Sequence, residues 1–279
     1  MTRFSYANNF IAGDSRRRLK AIGPGLKSSK LFGMNTFSTS VSTAFSLITS
    51  FDPLLGGIVL RSLAVSACAC LLACSAGLLL GGWLGVARFR GRGVVLALLN
   101  TALALPSVVV GLMVYLLLSR SGPLGFLGWL FSFKAMVLAQ AVLVLPVVTA
   151  LVRQTIEDAE RSHGEQFASL GAGRFVRSLI LLIDERYALL TVMMAAFGRA
   201  ISEVGAVMVV GGNIDGFTRV MTTSIALETS KGDLPLALAL GAVLLGVVLL
   251  LNVLIALVRR WREQRDGSFA GVSLQGNAA

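Results

Sequence analysis

The 279-residue chain is 55% apolar and only 14% charged, whereas soluble domains carry about a quarter charged residues. This composition excludes an ordinary soluble domain and indicates a membrane protein. A net charge of +11 would suggest nucleic-acid binding in a soluble chain, but the excess of Lys and Arg in the cytoplasmic loops of membrane proteins explains much of it.

Five apolar runs are long enough to cross a bilayer, because a membrane-spanning helix needs about 20 apolar residues. The runs are residues 63–87, 94–118, 135–152, 187–212 and 236–258. They lack the alternation of polar and apolar residues that membrane barrel strands show. We therefore predict an all-α integral membrane protein with five transmembrane helices, and kinks at Pro106 and Pro146.

Three further segments flank this permease domain of residues 63–258. Residues 1–33 form a basic arm, which we predict to be disordered, or an artefact of start-site choice if Met34 is the true first residue. Residues 34–62 are predicted to be a lead-in that lies on the membrane surface. Residues 259–279 form a basic tail.

Arginines indicate which connections are cytoplasmic, because short cytoplasmic loops carry an excess of Lys and Arg. Arg88, Arg90 and Arg92 lie between the first and second spans, and four more arginines begin the tail. This pattern places the first connection, the third connection and the C-terminus in the cytoplasm. The third connection, residues 153–186, is polar, and we predict one or two short helices in it. The outer connections are then residues 119–134 and 213–235.

The residues needed for catalysis are scarce. The sequence contains no Walker A motif, whose lysine would contact nucleotide phosphates, and His163 is its one histidine. The spacing of Cys68, Cys70 and Cys74 fits neither a zinc site nor a redox pair. We therefore expect no catalytic residue, no metal and no cofactor on this chain. Gly77, Gly81 and Gly85 recur at helical spacing in the first span, which predicts a close approach to another helix.

The stretch EQFASLGAGR, residues 165–174, lies in the predicted third connection and carries a glutamate six residues before a glycine. It resembles the EAA loop of importer-type ABC transporter permeases, whose pattern is E-A-A-x-x-x-G. The paired alanines are replaced by Gln166 and Phe167, and the proline that often ends the pattern is absent. The resemblance implies a cytoplasmic coupling-helix loop that docks onto a separate ATPase subunit. The residues assigned to it are Glu165, Ala168, Gly171, Ala172 and Arg174.

Three stretches, EVGAVMVVGGNI, TRVMTTSIALETSKGD and LPSVVVGLMVYLLLSRSGPLG, resemble permeases of the molybdate and tungstate uptake group, and within it the tungstate type. The resemblance covers roughly residues 41–260. It implies a type I ABC importer permease in a bacterial or archaeal cytoplasmic membrane, working as a homodimer with two ATPase copies and an extracytoplasmic oxyanion-binding protein. Tungstate is the expected cargo. Molybdate, sulfate or another oxyanion, and an ATP-independent secondary transporter, are the alternatives.

Arg199 and Glu203 lie four residues apart in the fourth predicted span, so they can pair on one side of a helix. An unpaired charge at the bilayer centre costs about 2.5–3.5 kcal/mol, so we expect pairing within the protein interior. Two interpretations are open. The pair stabilises helix packing or a dimer interface, or it lines or gates the translocation pathway together with Gly205.

Overall fold

The computed structural model describes residues 41–42, 45–46, 49 and 53–275. The basic arm of residues 1–33 lies outside this described part of the chain. From residue 53 onwards the described chain is helical, with one 3₁₀ turn at Gly125–Leu127. The helices are α1 (Pro53–Val86), α2 (Arg92–Leu103), α3 (Ser107–Leu118), α4 (Phe133–Ser169), α5 (Arg174–Asp184), α6 (Arg186–Ile201), α7 (Gly205–Gly211), α8 (Met221–Lys231) and α9 (Leu234–Gln275).

Three of these helices, α1, α4 and α9, are long and apolar enough to cross a membrane. The pairs α2–α3 and α6–α7 pass the same test together but are bent by 100° and 57°. Among the described residues the number of spans is therefore three, or up to five if each bent pair is one span. The predicted all-helical membrane fold is confirmed, whereas the predicted second and fourth spans are each a bent pair of helices rather than one continuous helix.

The three glycines of α1 face α4, with which α1 makes its most extensive contacts. A Cβ added at Gly77, Gly81 or Gly85 would lie 2.7–2.9 Å from the side chains of Val148, Val152 and Ile156 respectively. Small residues allow two helix backbones to approach this closely. The close helix approach predicted from the spacing is confirmed, and it lies within the chain.

The bend between α2 and α3 has a local cause. Pro106 precedes the first residue of α3 with an extended ψ of 129°, and proline disfavours helical geometry at the residue before it, here Leu105. Because proline also lacks an N–H, the helix ends and restarts. By contrast, α4 continues through Pro146 from Phe133 to Ser169.

Two connections contain more helix than we predicted. The third predicted span ends at residue 152, but α4 continues to Ser169 and is followed by α5. The outer connection of residues 213–235 contains α8, whose buried residues include Thr222, Thr223 and Glu228. This helix has few apolar residues, so its sequence does not resemble a membrane span. It is stabilised by packing against α9.

Candidate functional site

The segment that resembles an EAA loop forms a helix–turn–helix, which we call the coupling segment (residues 165–184). Gly171 makes the turn with a φ of +73°, a conformation that glycine adopts without the steric cost of a Cβ. The N–H of Ala172 donates to the carbonyl of Phe167 at 3.0 Å, which closes the end of α4. The turn therefore requires a glycine at position 171, which is the position of the glycine in the EAA pattern.

Polar contacts hold α5 against the helices that precede it. Arg177 forms an ion pair with Glu160 of α4 at 2.7 Å. Arg174 Nη1 donates to the carbonyl of Arg88, just after α1, at 3.0 Å. On the same side of α5, Ser178 and Leu181 are buried. The coupling segment therefore has a fixed position relative to α1 and α4.

The rest of the coupling segment presents an exposed surface that is largely apolar. Leu170, Phe175 and Ile183 are 81%, 65% and 68% exposed, and Val176 is also exposed. A depression of about 300 Å³ beside them is lined by Phe167, Ile180, Ile183, Asp184 and Arg186. Contiguous exposed apolar side chains near charged groups are typical of protein–protein interaction sites.

The five residues assigned to docking occupy different parts of this segment. Glu165 and Ala168 lie in the last turns of α4, where Glu165 is exposed. Gly171 and Ala172 form the turn, and Arg174 begins α5. Of these five residues, Glu165 and Arg174 are charged and exposed, one on each side of the turn.

A cluster of ion pairs surrounds Glu157 near the coupling segment. Its carboxylate contacts Arg92 at 3.0 Å and Arg161 at 3.2 Å, and it also pairs with Arg153. Only 12% of the Glu157 side chain is exposed. One largely buried carboxylate is therefore shared by three arginines, so the cluster keeps a net positive charge.

The second predicted set lies at the break between α6 and α7. Arg199 occupies the last turn of α6, and its Nη1 donates to Glu203 Oε2 at 2.8 Å. Glu203 lies beyond the end of α6, and its Oε1 accepts from the N–H groups of Val204 and Ala206 at 3.1 and 3.4 Å. The predicted pair forms, at a break rather than on a continuous helix.

The break exposes backbone carbonyls that side chains then satisfy, as burial away from water requires. Gln140 Nε2 of α4 donates to the carbonyl of Ala200 at 2.8 Å. Thr222 Oγ1 of α8 donates to the carbonyl of Glu203 at 2.7 Å. Side chains from two other helices therefore stabilise the bend.

The two broken spans meet at this point, which we call the junction. The start of α3 packs against the start of α7. A Cβ added at Gly205 would lie 2.8 Å from Ser107 Oγ and 2.7 Å from a methyl group of Val108. Gly205 therefore allows α7 to touch α3.

The structure brings Arg199, Glu203 and Gly205 together but keeps them apart from the coupling segment. The helix α6, 16 residues or about 24 Å long, lies between the two sets and carries Arg199 in its last turn. Sequence reasoning missed Ser107, Gln140 and Thr222. Each of these three residues is polar and lies inside or beside an apolar stretch. In a membrane such a side chain requires a partner, and this was the sequence feature that could have identified them.

Residues 77–265 match the family described as binding-protein-dependent transport system inner membrane component. The chain belongs to this family. The match includes the coupling segment and the α6–α7 break, and it covers more than half of the chain. Membership of this family implies two partners, an ATPase and a binding protein. The chain itself is a multi-pass inner-membrane transport component rather than an enzyme.

Several curated proteins are similar to the chain over most of its length. The tungstate uptake system permease protein TupB of Peptoclostridium acidaminophilum is 41% identical over 80% of this chain and 97% of the relative. A probable anion ABC transporter permease protein of Haloferax volcanii is 40% identical over 74% of this chain and 90% of the relative. The molybdenum transport system permease protein ModB of Escherichia coli K12 is 32% identical over 63% of this chain and 81% of the relative.

Proposed function

We propose that this chain is the membrane-spanning permease subunit of an ABC importer that moves tungstate from a binding protein into the cytoplasm. The observation that carries the ATP-driven assignment is the exposed apolar surface of the coupling segment around Phe175 and Ile183. The cargo assignment rests on the similarity to the tungstate permease, which extends over 97% of that relative. ATP hydrolysis belongs to the partner chain, and this chain holds no cofactor.

The proposed assembly contains two copies of this chain, each with one ATPase on its coupling segment. In the proposed topology each bent pair counts as one span, so the two ends of the five spans lie on opposite sides of the membrane. The N-terminal end of α1 is then outside and the C-terminus is in the cytoplasm. Exposed arginines support this orientation, because Arg88 and Arg90 follow α1 directly and short cytoplasmic loops carry an excess of Lys and Arg. The carbonyl of Arg88 accepts a hydrogen bond from Arg174, so this loop and the coupling segment lie on the same side.

The proposed role of Arg199, Glu203 and Gly205 is to line or gate the pathway. Nearly half of the Arg199 side chain is exposed, so its cation can contribute positive potential to a route for a dianion. The competing role is structural only. We infer gating because the pair lies at a helix break, and broken spans are where transporters place their moving parts and binding sites.

A double variant separates the two roles. We expect each of Arg199→Leu and Glu203→Leu to lower uptake by more than it lowers expression. We expect Arg199→Leu/Glu203→Leu to recover expression without uptake, because no charge is left in the pathway. Recovery of both expression and uptake would make the pair a packing feature.

Reconstitution tests the function directly. Proteoliposomes that contain this chain and its ATPase should accumulate tungstate only when ATP and the binding protein are both supplied. Accumulation that persists with an ATPase variant unable to hydrolyse ATP would indicate a secondary transporter instead.

Molybdate is the second candidate cargo, because the Escherichia coli molybdenum permease is also similar to this chain. Calorimetric titration of the binding protein with tungstate, molybdate and sulfate distinguishes the candidates. The proposed cargo requires tungstate to bind most tightly, and a preference for molybdate or sulfate would reassign it.

A further inference from the structure

An apolar groove of about 450 Å³ lies between α1, α2 and α4. The helix α2 lines it with residues from one of its faces, Val95, Leu98, Leu99 and Ala102. The only hydroxyl among the described lining residues is that of Thr149, which already donates to the carbonyl of Leu145 in its own helix at 2.8 Å. The groove therefore has no free hydroxyl to orient a polar ligand, and its lining matches a hydrocarbon chain.

One end of the groove is basic. Each of the three helices that line it places an arginine within four residues of its last lining residue at this end, namely Arg88 just after α1, Arg92 at the start of α2 and Arg153 in α4. Arg92 Nη2 donates to the carbonyl of Leu84, which lines the groove, at 3.3 Å. Arg92 and Arg153 both pair with Glu157, so the arginines of separate helices converge there.

The basic end keeps positive charge that the protein does not compensate. The carboxylate of Glu157 is shared by three arginines. Arg88 and Arg90 are exposed, and within the described part of the chain neither forms an ion pair with a carboxylate. The planar guanidinium group donates pairs of hydrogen bonds to phosphate. The basic end is therefore complementary to a phosphate group.

An aromatic pair separates the groove from the exposed arginines. Trp83 lines the groove and stacks on Phe89 of the loop after α1, with ring centroids 5.3 Å apart. Both side chains are exposed. Tryptophan is enriched at the membrane–water boundary, at the level of the lipid headgroups. The groove therefore lies on the hydrocarbon side of this pair, and Arg88 and Arg90 lie on the headgroup side.

We propose that the groove binds an acyl chain of an anionic phospholipid, whose phosphate lies against Arg88, Arg90 and Arg92. The two ends of the site select this occupant, because the groove matches hydrocarbon and the basic end matches an anionic headgroup. The competing occupant is a second copy of this chain, which would cover the groove but leave the arginines without an anion. The bound lipid would fill the space between α1, α2 and α4. This site goes beyond the proposed function, since it requires neither a cargo nor an ATPase.

Trp83 is the probe of the groove. Trp129→Phe and Trp261→Phe leave it as the only tryptophan of the full chain, which is reconstituted into phosphatidylcholine vesicles. Lipids with brominated acyl chains quench tryptophan fluorescence on contact. We expect brominated phosphatidylglycerol to quench with a relative affinity about fivefold or more above that of brominated phosphatidylcholine, as one arginine near an anionic headgroup provides. Equal affinities would overturn the proposal. Quenching by neither lipid would also overturn it and would indicate a groove covered by a second copy.

Removal of charge tests the headgroup contact. Arg88→Gln/Arg90→Gln in the same single-tryptophan chain should abolish the preference for phosphatidylglycerol. Arg120→Gln/Lys134→Gln is the matched control, because it removes two exposed positive charges away from the basic end, and it should retain the preference. A preference that survives Arg88→Gln/Arg90→Gln would overturn the proposal.

Filling the groove tests the acyl chain in a protein that keeps all its tryptophans. Native mass spectrometry of the purified full chain in detergent counts the phosphatidylglycerol molecules that stay bound. Ala102→Phe should bind one fewer than the wild type, whereas Val94→Phe, at an exposed residue of α2 outside the groove, should bind the same number. Equal counts in the two variants would overturn the site. Because no ATPase or tungstate is present, this outcome would leave the proposed function standing, and a failure of transport would leave the lipid site standing.

Discussion

Residue by residue, the two members of the Arg199–Glu203 pair differ in exposure. Only 5% of the Glu203 side chain is exposed, against 47% for Arg199. The carboxylate also accepts two backbone N–H groups at the start of α7. Desolvation therefore falls mainly on the anion, and the arginine is the partner that makes burial of this anion tolerable.

This asymmetry predicts unequal losses of stability. Arg199→Leu leaves a buried carboxylate without its cation, which should cost about 3–5 kcal/mol. Glu203→Gln retains an acceptor oxygen for Val204 and Ala206, and leaves an arginine that water can reach, so we expect about 1 kcal/mol. Thermal melting of the purified variants in detergent measures the difference. A larger loss in Glu203→Gln would contradict it.

Among the elements, glycine positions decide how helices meet and where they end. In α1, Gly81 faces the carbonyl of Thr149 so closely that an added Cβ would lie 2.7 Å from it. In the coupling segment, Gly171 reverses the chain between α4 and α5. The first glycine is required for packing and the second for backbone conformation.

The packing role predicts opposite effects for two alanine substitutions. Gly81→Ala should destabilise the protein by about 1–3 kcal/mol, because α1 and α4 must move apart. Gly246→Ala in α9, where an added Cβ meets nothing within 4 Å, should be neutral or stabilise by up to about 1 kcal/mol through helix propensity. Melting temperatures compare the two. Equal shifts would rule out close packing at Gly81.

The conformational role predicts that Gly171→Val weakens ATPase binding. A β-branched residue is disfavoured at a φ of +73°, at a cost of about 1–2 kcal/mol, so the turn should change shape and move α5. Gly173→Val is the control, since its φ is −65° and an added Cβ has free space. Co-purification with the ATPase should fall in the first variant alone. Similar losses in both would point to a general disturbance of the segment.

For the whole molecule, the two ends expose different surfaces. One end carries the coupling segment, fixed to α1 and α4 by Arg174 and Arg177. The opposite end carries the 3₁₀ turn with Phe126 and the loop before α8. The junction lies between them, in contact with α3, α6, α7 and α8. The proposed ATPase-docking surface and the break are therefore at opposite ends of α6, a helix about 24 Å long.

The difference between the ends predicts a side-specific effect on assembly. Ile183→Asp puts a charge into the exposed apolar surface of α5 and should weaken ATPase co-purification at least tenfold, because central apolar anchors contribute about 2 kcal/mol or more to interfaces. Phe126→Asp, at a side chain that is 82% exposed on the opposite end, should leave ATPase binding unchanged. Retained binding in Ile183→Asp would remove this surface from the interface.

The sequence by itself determined the features that depend on residues close together in the chain. Apolar runs of 18 residues or more predicted membrane helices, and the Gly77–Gly81–Gly85 spacing predicted a close packing surface. The glutamate and glycine of EQFASLGAGR carry a resemblance to an EAA loop, and the structure forms a turn there that requires Gly171. The pairing of Arg199 with Glu203 also followed from a spacing of four residues. Each of these depends on helical periodicity or on the conformational freedom of one residue.

Only the tertiary structure decided where the spans break and what stabilises the breaks. A buried helix can end inside a membrane only when other side chains satisfy the carbonyls that it exposes. At the junction these side chains come from distant positions, since Gln140 is 60 residues from Ala200 and Thr222 is 19 residues from Glu203. Ser107 lies against Gly205 only because the α2–α3 and α6–α7 pairs meet. Local apolar periodicity carries no information about such contacts, which form when separate helices pack together.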